Sequence, residues 1–322
     1  MSQSAKKLIL LVNLGSPEDL SAGAIRNFLR QFLSDQRVVG LPKLLWYPIL
    51  YGIILPIRAK KLLHKYAQIW LKEHGTPLSH YTHCQAEKLQ ALVSNDCIVD
   101  YAFCYGSRSI ASQLSNLGKE HSFNELVVLP LYPQYSSSTT AAVFDQVSEY
   151  YRQAYYIPRI NFINSFAANS DYITALANQV REQWLLSGRS NKLMVSFHSV
   201  PVKLVESGDS YIQECQATYH LLCQELGIST KNDAVLCFQS KFGKAKWVEP
   251  ATDVVIKELA ANGVKTLDVI CPGFVSDCLE TLEEVAIQYH DLFIQFGGTK
   301  LNYIPCLNDS PDLIKVLASL SN

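Results

Sequence analysis

The chain has 322 residues, 48% of them hydrophobic and 18% charged, which is enough apolar material for a large core and excludes wholesale disorder. Lys+Arg 28 balance Asp+Glu 29 for a net charge of -1, which argues against a globally basic nucleic-acid binder and predicts no nucleic-acid partner. Nine cysteines, an odd number with no pair in C-x-x-C spacing, argue against a disulfide scaffold, a zinc ribbon and a thioredoxin-like redox pair.

At roughly 100–200 residues per domain the length suits two domains. The N-terminal MSQSAKKLILLVNLGSPEDL has no small-residue cleavage site after its apolar run, so KLILLVNL (7–14) reads as a first strand and the simplest compartment is a reducing cytoplasm. LSAGAIRNFLRQFL follows with helical periodicity. Residues 44–57, LLWYPILYGIILPI, are the most apolar stretch, interrupted by Pro48 and Pro56 and softened by Gly52, with Arg58, Lys60, Lys61 and Lys65 behind. It is too short to span a membrane. Periodicity alone favours a broken helix tucked into the core over an exposed apolar lip that guards a pocket or touches a membrane surface. His80 and His83, three apart, read as a satisfied or solvated pair before a metal site.

Further strands are expected at IVDYAFCY (98–105), ELVVLPLY (125–132) and RINFINSF (159–166). The run YPQYSSSTT between the last two offers hydroxyls at a strand end, or simply caps the next helix. A boundary is expected near Ala167–Asp171, dividing the chain into domains 1–168 and 169–322, with the C-terminal segment packing back on the first domain. The second half repeats the pattern. Strands are expected at KLMVSFHS (192–199), AVLCFQS (234–240), TLDVICPG (266–273) and KLNYIPCL (300–307), between helices such as DYITALANQVREQWLL, YIQECQATYHLLCQEL and PATDVVIKELAANG. Near-continuous Val, Ile, Leu and Phe in several strands fit parallel sheets covered on both faces, and the alternation with helices predicts an α/β fold of βαβ units. Ligands of such sheets bind beyond the carboxyl ends of the strands.

No G-x-G-x-x-G follows the first strand, and no P-loop, G-x-S-x-G elbow or H-E-x-x-H occurs. A nucleotide-binding module is therefore disfavoured. Two segments carry chemistry. MVSFHSVP puts His198 at a strand end, where a lone histidine is more often structural or solvated than functional. CPGFVSDCLETLEEV reads as strand, Pro-Gly turn and helix. Asp277 and Glu280 have D-x-x-E capping-box spacing, and Leu279, Leu282 and Ala286 form the expected apolar stripe. Glu280 and Glu284, four apart, share the other face and repel unless a cation or proton lies between them. A metal path or proton relay explains that pairing.

These segments together resemble the ferrochelatases of haem biosynthesis. The resemblance runs through LVNLGSPED, FLSDQRVV, GTPLSHYT, VVLPLYPQYSSSTT, SFHSVP, GDSYIQECQATY, FQSKFG, CPGFVSDCLETLEE and YIPCLNDS, nearly the whole chain. LLWYPIL, GIILPIR and CPGFVSDCLETLEE point to the proteobacterial type. The resemblance implies two similar Rossmann-like domains, each a parallel sheet flanked by helices, with a porphyrin cleft between them. It implies insertion of Fe2+ into protoporphyrin IX, both as substrates, with release of two protons. His198 and Glu280 match the family's catalytic and metal-binding pair. His198 is expected to act mainly as proton acceptor and Glu280 as metal ligand or relay, with Asp277 and Glu284 behind them. Tyr105, Tyr132 and Ser138 match pocket positions. Residues 44–57 match the apolar lip, with Leu44 and Trp46 facing porphyrin, which reverses the core reading and leaves peripheral contact with the inner face of a membrane as an expectation. Arg37, Arg108 and Ser136 are candidates for the propionate rim.

Two departures qualify the likeness. Members with a [2Fe–2S] cluster carry Cys where Ser137 stands here, and only Cys306 lies near the end of this chain, so no cluster and no permanent cofactor are expected. The acidic ladder of some relatives continues one turn past Glu284, where this chain has Gln288. Cys278 stands where other branches have His, and reads as a passive buried thiol. The alternatives are a chelatase for another tetrapyrrole, such as coproporphyrin III or a cobalt-accepting precursor, and a non-catalytic porphyrin or haem carrier.

Overall fold

A computed structural model describes residues 7–243 and 245–322, so the first six residues, where the leader reading partly falls, lie outside the described residues. The chain divides into two compact units. One comprises residues 1–132, 136–164 and 314–322, and the other residues 133–135 and 165–313.

All eight expected strands form. In the first unit β1 (Lys7–Asn13), β2 (Cys97–Phe103), β3 (Glu125–Pro130) and β4 (Arg159–Phe162) make one parallel sheet in the order β2-β1-β3-β4. In the second unit β5 (Lys192–His198), β6 (Ala234–Gln239), β7 (Thr266–Ile270) and β8 (Lys300–Tyr303) make another in the order β6-β5-β7-β8. The two orders are the same permutation. The central strands are buried from end to end, as Leu8 to Val12 and Leu126 to Leu129 show, because helices cover both faces. The chain order reverses direction between β1 and β3 in the first sheet, and between β5 and β7 in the second. Those are the switch points, where a crevice opens at the strand ends.

Gly15 follows β1 at the first switch point. It has φ +97, and a Cβ there would collide with the Tyr105 carbonyl oxygen. Gly15→Ala combines a left-handed backbone with that collision, and is expected to cost roughly 2 kcal/mol or more, read as a lower Tm than wild type. A Tm equal to wild type contradicts this account.

Residues 44–57 are neither broken nor tucked away. Helix Lys43–Ile49 runs through a π turn, Leu50–Ile54, into helix Leu55–Ile69. Trp46, Leu50, Leu55 and Ala59 face inward, and Trp46 Nε1 donates to the Leu33 carbonyl at 2.6 Å. The spacing 4-5-4 of these buried residues escapes a search at period 3.6, because the π turn inserts one residue. The opposite face carries Leu44 (87% exposed), Leu45 (65%), Ile53 (54%) and Ile57 (52%). Among the described residues no helix is long and apolar enough to cross a membrane.

Candidate functional site

Strands β5 and β7 are neighbours, so the segments leaving their carboxyl ends emerge side by side at the second switch point. His198 is the last residue of β5 and is half-buried. Its Nδ1 lies 2.6 Å from the Ser199 carbonyl oxygen. A carbonyl only accepts, so Nδ1 carries the hydrogen and Nε2 is left as the basic nitrogen.

Beyond β7, residues Leu279–Tyr289 form a π-helix in place of the expected α-helix. Two local expectations change with it. The capping box is made one residue later than the D-x-x-E spacing suggests, between Cys278 and Thr281, so Glu280 has no capping duty. The buried stripe is Thr281, Val285 and Tyr289, not Leu279, Leu282 and Ala286, because a turn of more than four residues shifts which side chains point inward. Glu280 remains half-buried near the start of this helix. The Cys278 thiol beside it is held well above its usual range, first by burial and then by the Glu280 carboxylate. It therefore stays a neutral thiol, which is a poor metal ligand.

Asp277 is 4% exposed and accepts from Thr281 Oγ1 at 3.0 Å, Tyr303 OH at 2.5 Å and Asn308 Nδ2 at 2.7 Å. Asn308 returns the contact by accepting from the Asp277 backbone N–H at 2.8 Å. Burial keeps the Tyr303 hydroxyl protonated and so a donor. Asp277 thus ties the start of the π-helix to the segment after β8. Glu284 accepts from the Ser240 N–H at 3.0 Å, Ser240 Oγ at 2.5 Å and Tyr289 OH at 2.7 Å, which pins the end of β6 to the same helix. Gln288, where some relatives continue the acidic ladder, donates to both oxygens of Glu283.

The loop after β6 borders an open cavity of about 310 Å³ whose lining includes Lys241, Phe242, Lys246 and Trp247. The Phe242 and Trp247 rings lie 6.1 Å apart, and Trp247 Nε1 donates to the Phe242 carbonyl at 2.8 Å.

In the first unit, Tyr105 is buried and its hydroxyl donates to Asp35 Oδ2 at 2.8 Å. The other Asp35 oxygen accepts from the Arg37 N–H at 2.8 Å, beside a cavity of about 430 Å³ that also touches Lys43 and Asp145. The Arg37 guanidinium is already engaged by both oxygens of Asp145, at 2.7 and 3.0 Å. Arg108 is paired with Asp100 and lies 4.1 Å over the Tyr101 ring. The Tyr132 hydroxyl is buried beside the Cys104 thiol without a well-formed hydrogen bond, while burial pushes that thiol up to about 12. Ser136 and Ser138 hydroxyls pair at 3.1 Å. Trp46 is buried and Leu44 exposed, so these two do not share a surface. His80 stacks on His74 at 4.4 Å, and His83 pairs with Glu87 at 3.4 Å.

Asp35, Ser240 and Trp247 were not singled out by sequence reasoning. Asp35 and Ser240 act through partners 70 and 44 residues away, which no local pattern encodes. Trp247 had one available signal, a tryptophan among lysines in a loop that follows a strand.

The ferrochelatase family model matches residues 6–322. Curated relatives named ferrochelatase include those of Teredinibacter turnerae (43% identical, 99% of this chain and 87% of that one), a Polaromonas species (45%, 99% and 87%) and Neisseria meningitidis serogroup B (44%, 99% and 94%). Among solved structures, the chain resembles SirB from Bacillus subtilis with Fe3+ (TM-score 0.57, 12% identity, 98% of this chain and 93% of that one). It also resembles CbiX, described as the terminal enzyme for biosynthesis of sirohaem in denitrifying bacteria (TM-score 0.51, 13%, 97% and 96%). At those identities the likeness concerns the fold, and it matches the paired parallel sheets described above. With a family model across nearly its whole length and relatives above 40% identity, the chain belongs to the ferrochelatase family.

Proposed function

We propose that this member of the family inserts Fe2+ into protoporphyrin IX to give protohaem, with His198 as the proton acceptor and Glu280 as the residue that guides the metal. The observation that carries the proton role is the Nδ1 contact of His198 with the Ser199 carbonyl, which leaves Nε2 basic. Metal insertion expels two pyrrole N–H protons, so a base must stand where the porphyrin is held. Carboxylate and imidazole both suit Fe2+, and Glu280 has no capping bond to give up first. Glu284 and Asp277, each held by several donors, keep the π-helix in place behind this pair. Tyr105, Tyr132, Ser138, Trp46 and Leu44 are proposed for the macrocycle. Arg37, Arg108 and Ser136 are proposed for its propionates, although both arginines must exchange an existing carboxylate partner to serve there. Lys241 and Lys246 around Trp247 also suit a flat anionic substrate. The enzyme is proposed to work without an iron–sulfur cluster, a reading that rests on Ser137.

The test is an anaerobic assay of Fe2+ or Zn2+ insertion that compares protoporphyrin IX with coproporphyrin III by the change in porphyrin absorbance. Faster turnover of protoporphyrin IX is expected. A preference for coproporphyrin III overturns the substrate, and no turnover with any tetrapyrrole overturns the enzyme reading.

The exposed face of 44–57, with Lys60 and Lys61 exposed one turn beyond, supports peripheral contact with an anionic bilayer. The protein is expected to co-sediment with phosphatidylglycerol vesicles, and Leu44→Ser with Ile53→Ser to reduce the bound fraction severalfold. Equal binding by the double variant refutes the contact.

A further inference from the structure

Gln239, the last residue of β6, is 1% exposed and reaches both halves of the reacting pair. Its backbone is the register partner of His198, and its carbonyl accepts from the Ser199 N–H at 2.8 Å. Its side chain points across the sheet end. Nε2 donates to the Glu280 carbonyl at 2.8 Å, while Oε1 accepts from Ser196 Oγ at 2.7 Å. Ser196 in turn pairs with Thr252 Oγ1 at 3.0 Å. Ser196 and Thr252 are 0% exposed, so this is a dry polar chain from one helix, through the strand of His198, to the first turn of the π-helix. A buried amide with both ends satisfied has one orientation, because turning it over would set its oxygen against the Glu280 carbonyl, acceptor against acceptor. The next residue, Ser240, holds the Glu284 carboxylate from the left-handed conformation, φ 66, so two successive residues grip the π-helix at Glu280 and, four residues on, at Glu284.

We propose that Gln239 is a positioning residue for metal insertion. Its side-chain amide ties the backbone of Glu280 to the strand that carries His198, and so sets the spacing between metal ligand and proton acceptor. The proposal rests on the function assigned above to those two residues. Gln239 touches neither metal nor porphyrin in this role. Its loss is therefore felt in kcat and not in porphyrin affinity, and misplacement by about 1 Å is enough to cost about 10²-fold.

The test uses the full chain with Zn2+ and protoporphyrin IX. Gln239→Leu is expected to lower kcat at least tenfold with porphyrin KM within twofold of wild type. Gln239→Glu adds a signature that mere packing loss lacks. While protonated, the introduced carboxyl can still donate to the Glu280 carbonyl, and once ionised it cannot. Burial raises such a carboxyl above its usual range. Its kcat relative to wild type is therefore expected to fall as pH rises, whereas Gln239→Leu keeps a constant ratio. If Gln239→Leu does not fold, the pH ratio of Gln239→Glu decides alone. Wild-type kcat in Gln239→Leu, a parallel rise in porphyrin KM, or a pH-independent ratio for Gln239→Glu overturns the proposal. A wild-type chain that inserts no metal overturns the functional reading and this proposal with it, so the two failures are told apart by the wild-type arm.

Discussion

His198→Ala is expected to lower the kcat of metal insertion by about 10²–10⁴-fold while porphyrin still binds. The variant removes the proposed Nε2 base and leaves β5 intact, because the residue before it, Phe197, is fully buried and keeps the strand end in register with β6. Glu280→Gln is expected to act as strongly by a different route. It keeps the volume and removes the charge proposed to attract Fe2+, so the loss falls on metal-dependent steps. Porphyrin fluorescence quenching measures binding, and the absorbance assay measures turnover. Loss of turnover with a porphyrin Kd within threefold of wild type is the expected result for both. Retained turnover in either variant removes that residue from the mechanism. A porphyrin carrier predicts instead that neither substitution changes anything measurable.

Asp277→Ala carries the largest expected loss of stability. The substitution removes the carboxylate that accepts from Thr281, Tyr303 and Asn308 at once, leaving Thr281 and Tyr303 only longer contacts with the Cys278 carbonyl and the Cys306 thiol. Each weakened donor costs up to roughly 1–3 kcal/mol, and the remaining contacts make the sum less than additive, so about 3 kcal/mol is expected. For a unit of this size that lowers Tm by about 6–12 °C. Asp277→Asn is the informative companion. It keeps an acceptor oxygen for Thr281 and Tyr303 but turns the other position into a donor that faces Asn308 Nδ2. An intermediate Tm is expected. If Asp277→Ala melts with wild type, the network does not hold the π-helix as described.

The sheets were legible because parallel strands buried on both faces are written as unbroken apolar runs, and all eight runs became strands. The helices around 22–34, 170–187, 211–226 and 252–261 were legible for the related reason that one face of each is apolar at period 3.6. Two segments defeated that reading, and both are π-helical. At 50–54 the inserted residue hid the inward stripe, so the local pattern was mistaken for a broken core helix. At 279–289 it moved the capping box from Asp277 to Cys278 and exchanged the expected apolar stripe for Thr281, Val285 and Tyr289. The motif around His198 and Glu280 drew attention to those residues. It could not reveal the tautomer of His198, which depends on a carbonyl orientation, nor the cross-links made by Asp35, Gln239 and Ser240, whose partners are distant in the chain.

The π turn at 50–54 has a consequence for tolerance to insertion and deletion. In an α-helix each residue advances the chain by about 100°, so one extra residue rotates everything after it by that angle. Within the lip the extra residue acts as a phase correction, for it returns Leu55, Ala59, Tyr66 and Ile69 to the side that Trp46 and Leu50 occupy. Deleting Gly52 therefore does more than shorten a surface helix. It rotates everything up to Ile69 by about 100°, which carries the inward stripe of Leu55, Ala59, Tyr66 and Ile69 off its packing surface, whereas substituting Gly52 leaves the phase untouched.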